Sequence, residues 1–160
     1  THTAEELAFA DQLSATYPGS DLVPGVGSQY DLDYADQVRA LRKEAGHAMN
    51  DFLMPLYQGD AFEPGSTDVG DVSWQCPTAQ IHVATWPNGC PGHSWQNVSC
   101  GRTDIGHKAA LHAGKVLAAA AMDLFTQPAL LEEAKAEFQR RTVAGYTCPI
   151  PADAVPVVAD

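Results

Sequence analysis

Six histidines are the residues of this chain best suited to hold a metal ion or move a proton: His2, His47, His82, His93, His107 and His112. His107 and His112 are five apart in a helical stretch, about 140° apart around its axis, so they cannot form the i, i+4 pair of a metal-binding helix. His2 is terminal and His47 stands among polar neighbours, so both read as surface groups. His82 falls in a strand-like run, where a hydrogen-bonded structural histidine is the commoner role. His93 is different, because it sits in a Gly/Pro loop just after that run, where a rigid backbone can present an imidazole into a cleft. A loop histidine alone is still more often a surface group than a ligand. A zinc site needs several ligands, and no cluster of matching spacing accompanies it. A second candidate is the run Gly65-Ser66-Thr67-Asp68, which can offer backbone N–H groups and hydroxyls to a carboxylate. The same residues also make a good turn or helix cap. No G-x-S-x-G elbow, phosphate-binding P-loop or dinucleotide fingerprint is present.

The elements that position these residues are read from caps and periodicity. Thr3 caps a first helix, with Glu5 and Glu6 in its positive first turn, and Tyr17-Pro18-Gly19-Ser20 ends it. A Gly/Pro loop runs from Asp21 to about Tyr30. A second helix runs from Leu32 to about Leu53, with Tyr34, Val38, Leu41 and Ala45 on one face and Gly46 as a candidate break. Residues 62–71 form a turn-rich loop. Two strand-like runs follow, Val72-Ser73-Trp74 and Ala79 to Trp86, before the loop Pro87 to Gln96 that holds His93. Thr103 or Asp104 caps a long helix to about Phe125, with Val116, Leu117, Ala120, Ala121 and Leu124 as its expected buried stripe. Pro128 starts a last helix that carries Arg140 and Arg141 at its end, with Gly145 as its C′ residue. Residues 1–145 thus read as one α/β segment, helices packed on a partial β-sheet, and residues 146–160 as an extended Pro-rich tail. Two strands make a poor sheet with unpaired edges. The rest of the sheet is therefore expected in another segment or chain.

Composition narrows the function classes. The 160 residues fit one domain, with 45% hydrophobic and 18% charged residues, ordinary for a globular protein. A net charge of -11 with nine basic residues argues against nucleic acid. The longest apolar stretch, Val116 to Met122, is far too short for a membrane span, and the polar, acidic start is no signal peptide. Without an initiator Met, the chain is expected to be processed, trimmed or a fragment. The four cysteines, Cys76, Cys90, Cys100 and Cys148, form no C-x-x-C pair. They read as free thiols of a reducing cytoplasm. Asn97-Val98-Ser99 matches a glycosylation sequon, a triplet common by chance.

Taken in order, several short runs carry a resemblance. They are Gly65-Ser66-Thr67-Asp68-Val69-Gly70-Asp71-Val72-Ser73-Trp74, Pro77-Thr78-Ala79, Ala84-Thr85-Trp86, Pro91-Gly92-His93-Ser94-Trp95-Gln96, Ile105-Gly106-His107-Lys108 and Ala113-Gly114-Lys115. As a set they resemble the C-terminal section of the co-catalytic zinc peptidases that include carboxypeptidase G, aminoacylases and plant auxin-conjugate hydrolases. The match is good over roughly residues 60 to 140 and looser over the first helix. In that family a catalytic α/β domain is interrupted by a smaller lid domain, and this sequence resembles the returning segment alone, with the lid absent.

The resemblance implies a metal-dependent amidohydrolase cleaving an N-acyl, aminobenzoyl-glutamate-like amino acid. His93 matches the family's late metal-ligand histidine, and Gly65, Ser66, Thr67 and Asp68 match a substrate-facing loop. Two divalent ions are implied, zinc by preference with manganese or cobalt as alternatives. The H-x-D motif and the other ligands belong to the family's first half, and no H-x-D is found here. The chain is therefore expected to need the N-terminal half of the same catalytic domain, from the same gene or a second chain, and to be inactive alone. The alternative is a binding or interaction module that retains part of the enzyme fold without catalysis.

Overall fold

A computed structural model describes residues 1–18, 32–57 and 67–155. Six helices order the described residues: α1 (Ala4–Ser14), α2 (Leu32–Ala45), α3 (Val69–Ser73), α4 (Trp95–Gly101), α5 (Asp104–Thr126) and α6 (Pro128–Arg141). By contacts the chain divides into two units. The first comprises Thr1–Gly65 and Ile81–Ala119, the second Ser66–Gln80 and Ala120–Asp160.

In the first unit, α1 begins where its sequence says it should. The Thr3 hydroxyl accepts from the Glu6 N–H at 3.2 Å and the Glu6 carboxylate accepts from the Thr3 N–H at 2.7 Å, a complete capping box. Lys108 on α5 donates to both Glu6 carboxylate oxygens, at 2.7 and 2.8 Å, which ties α1 to α5. Helix α2 stops at Ala45, eight residues short of the expected end at Leu53, because Gly46 adopts φ 72° and its N–H closes on the Arg42 carbonyl. Two small cores result. Ala10, Met49 and Ile105 are fully buried together, with Leu7, Phe9 and Ala84 against them. Tyr34, Ala35 and Val38 form the second, covered by Phe52, Met54 and Tyr57. Burying a side chain such as Met49 contributes about 2 kcal/mol.

In the second unit, the run expected as a strand, Val72-Ser73-Trp74, is the end of α3 and its C-cap. The Ser73 hydroxyl donates to the Gly70 carbonyl at 2.6 Å, a local bond available to a helical turn and not to a strand. Residues 79–86 lack helix, but no strand is formed among the described residues, so the described chain is helical. The expected partial sheet is not formed by it. The stripe expected to be buried on α5 is also exposed: Val116, Leu117 and Leu124 all face solvent, while Ile105 and Ala109 are its buried residues. Helix α6 has Pro128 in its first turn and Arg140 and Arg141 in its last, as expected. Thr142 is its C-cap, and Gly145, at φ 76°, lies in the turn beyond it.

Candidate functional site

The loop that carries His93 is anchored at its base. The Asn88 N–H donates to the Ala48 carbonyl at 2.9 Å, and the Asn50 side-chain amide donates to the Asn88 side-chain oxygen at 2.8 Å. From the end of α1, the Tyr17 hydroxyl reaches the carbonyls of Asn88 (3.0 Å) and Pro87 (3.4 Å). Farther along, the Gln96 side chain donates to the Thr16 hydroxyl at 3.1 Å, so both ends of the loop meet the same turn after α1. Asp11 fixes the other wall by accepting from the Ala48 N–H at 2.7 Å. Pro87, Asn88 and Gln96 are buried as a result.

Between those anchors the chain turns sharply. Gly89 takes φ 70°, and Ser94 closes the second turn by donating to the Pro91 carbonyl at 2.6 Å. The same hydroxyl accepts from the Asn97 N–H at 3.2 Å, which caps α4. His93 sits inside this closed turn at φ 55°, the one non-glycine residue with positive φ among the described residues. The left-handed region costs an L-residue about 1 kcal/mol, though His tolerates it better than most. The imidazole is exposed, on a backbone that the anchors hold from both sides.

Two thiols belong to this region, Cys90 in the loop itself and Cys100 on α4. Cys100 is fully buried on α4, and burial, with a smaller contribution from Cys90, pushes its thiol up to about 11. Burial likewise raises the Cys90 thiol. Neither is a ready nucleophile, and all four cysteines are free.

The other candidate residues are split. Gly65 and Ser66 lie outside the described residues. Thr67 and Asp68 are exposed and lead into α3. The Thr67 hydroxyl accepts from the Val69 N–H at 3.3 Å, and Asp68 occupies the N-cap position without a side-chain cap bond. Both belong to the second unit, whereas His93 belongs to the first. Among the described residues no group of three or more His, Cys, Asp or Glu side chains could hold a metal ion. Of the residues that anchor the loop, Asn50 and Tyr17 carry no sequence signal for that role, and Gln96 stands out only as the end of the run Pro91 to Gln96. The Asn88-Gly89 pair, a turn dipeptide, is the clue that marks the anchor.

Nearly the whole length of this chain is similar in sequence to part of a hydrolase component. That relative is one of the subunits of p-aminobenzoyl-glutamate hydrolase of Escherichia coli (strain K12), 39% identical over 155 residues that cover 96% of this chain. The chain spans about a third of that relative's length, 32%. No protein-family model matches the chain, and no solved structure matches it. Among the described residues no helix is long and apolar enough to cross a membrane.

Proposed function

We propose that this chain supplies the C-terminal part of the catalytic domain of a metal-dependent amidohydrolase, which cleaves the amide bond of an N-acyl amino acid of the aminobenzoyl-glutamate kind. The observation that carries the reading is His93 at φ 55° in an anchored turn, within a chain 39% identical to a component of a hydrolase. His93 would hold one of two divalent ions through neutral imidazole, zinc by donor chemistry, with manganese or cobalt also compatible. When bound, such ions lower the pKa of a shared water and polarise the amide carbonyl. The anchored turn fixes the backbone of His93 before any ion arrives, and the Gly65–Asp68 run meets the substrate. The remaining ligands come from the N-terminal half of the same domain, carried in the same gene or in a second chain. The face of α5 bearing Leu117, Ala121 and Leu124 is exposed, and a complementary segment would cover it.

Metal content measured on the purified chain, with and without the N-terminal segment of its relative, tests this. No metal on the chain alone and about two ions per assembled domain is the expected result. Stoichiometric metal on the 160 residues alone would overturn it. No metal even after assembly would favour a binding module that retained this part of the fold without catalysis.

A further inference from the structure

We propose that Tyr146 is a positioning residue for α3 and, through it, for the Thr67–Asp68 segment. The substrate-facing part of this inference rests on the function proposed above. Helix α3 has five residues, none of them buried, and no side-chain cap. Isolated helices shorter than about 12 residues are marginal in water, so α3 needs a partner from elsewhere in the chain. Tyr146, seventy-five positions from Asp71, is that partner. Its hydroxyl donates to the Asp71 carboxylate, and its ring stacks on Trp74 with centroids 5.6 Å apart and planes at 26°. The hydrogen bond to Asp71 also holds the phenol proton far above its usual range.

The two contacts act at different points. Asp71 is in the helix and Trp74 is its C-cap, so bond and stack together fix the rotation of α3 about its own axis. Thr67 and Asp68 are coupled to that rotation. The Gly70 N–H donates to the Thr67 carbonyl at 3.4 Å and the Val72 N–H to the Asp68 carbonyl at 3.2 Å. Sequence patterning places Tyr146 at the start of an extended tail. The structure makes it half-buried and gives it the role of a latch.

Hydrogen exchange on the full chain tests the latch. Tyr146→Ala and Asp71→Ala are expected to speed exchange at Val72, Trp74, Gln75 and Cys76 about three- to tenfold, the range expected for losing one hydrogen bond. The buried part of α5 should keep its rates. Asp71→Asn retains an oxygen acceptor for the hydroxyl and should stay near the parent. Unchanged exchange at these amides, or a uniform rise across the chain, would overturn the proposal. In the chain assembled with its N-terminal complement, Tyr146→Ala should raise KM several-fold and leave kcat within about twofold. Faster exchange with an unchanged KM would overturn the substrate-facing role of Thr67 and Asp68 and leave the latch standing. If the parent assembly takes up no metal, the proposed function fails, and the exchange result still decides whether Tyr146 positions α3.

Discussion

The Tyr17 hydroxyl lies 3.0 Å from the Asn88 carbonyl, a bond that joins the end of α1 to the base of the turn presenting His93. It links residues seventy-one positions apart and is buried from solvent. A rigid scaffold under a functional loop requires such bonds, since the loop's own backbone groups must otherwise be left unpaired or solvated.

Tyr17→Phe keeps the ring and removes the donor. The Asn88 and Pro87 carbonyls then lose this donor, and the net loss of one hydrogen bond costs about 0.5–1.5 kcal/mol. Urea unfolding should show a lower midpoint with an unchanged slope. An unchanged midpoint would mean that this bond does not anchor the loop.

Stability should also depend on pH in a stated direction. Burial raises Tyr17 from 10.0 to about 12 and Cys100 from 9.0 to about 11. Both groups are neutral when protonated, so the folded state holds its protons more tightly than the unfolded state does. Their contribution is complete below about pH 9 and falls as pH rises, through 9 to 11 for Cys100 and 10 to 12 for Tyr17. Glu6 has the opposite sign. The Lys108 hydrogen bond lowers its carboxyl below 4.5, so its contribution is present above that pH and is lost as pH falls through the lower folded value. Urea midpoints measured across about pH 8 to 12 should fall with pH, and Tyr17→Phe should flatten the upper part of that fall. A profile that stays level to the top of that range would sink the assignment.

The helices with polar punctuation are legible in the amino-acid sequence. Thr3 and Glu6 mark the start of α1 and Pro128 the start of α6, whereas Gly46, which ends α2, reads only as a candidate break in a helix expected to reach Leu53. What is not legible depends on partners distant in sequence. Val72, Ser73 and Trp74 suit a strand by composition, but β-propensity reports fit to a half-buried pleated surface, and none is supplied there. Helix α4, seven residues long, is hidden because its Ser94 cap sits inside what reads as loop. The apolar residues of α5 have helical spacing, which says that they share a face and not what covers it. For the site, the loop around His93 is legible from its Gly and Pro residues. Its anchors are not, because Tyr17 and Asn50 meet it only after folding.

Two glycines of α5 should respond oppositely to alanine. Replacing Gly by Ala inside a helix stabilises by about 1 kcal/mol when nothing obstructs the new methyl group. At Gly114 nothing lies within 4 Å of an added Cβ, so Gly114→Ala should stabilise by about that amount. At Gly106 the Cβ would stand 3.0 Å from the Gly101 carbonyl oxygen and 3.1 Å from that of Cys100. Those are backbone atoms beside the buried Cys100 and cannot swing aside. Overpacking costs about 1–3 kcal/mol and outweighs the propensity gain, so Gly106→Ala should destabilise. Thermal melts of the two variants would decide it, and a stabilised Gly106→Ala would mean that α4 and α5 leave room for a methyl group between them.

His93 allows its backbone and its imidazole to be tested separately. At φ 55°, alanine bears the left-handed penalty and glycine does not. His93→Gly should therefore be more stable than His93→Ala by about 1 kcal/mol, after allowing for the greater freedom of glycine in the unfolded chain. That order reverses the one found inside helices. Both variants lack the imidazole, so in the chain assembled with its N-terminal complement both should lose metal and hydrolysis alike. If alanine proves the more stable, the turn is not left-handed. If both variants keep two ions, His93 is not a ligand, whatever the shape of its loop.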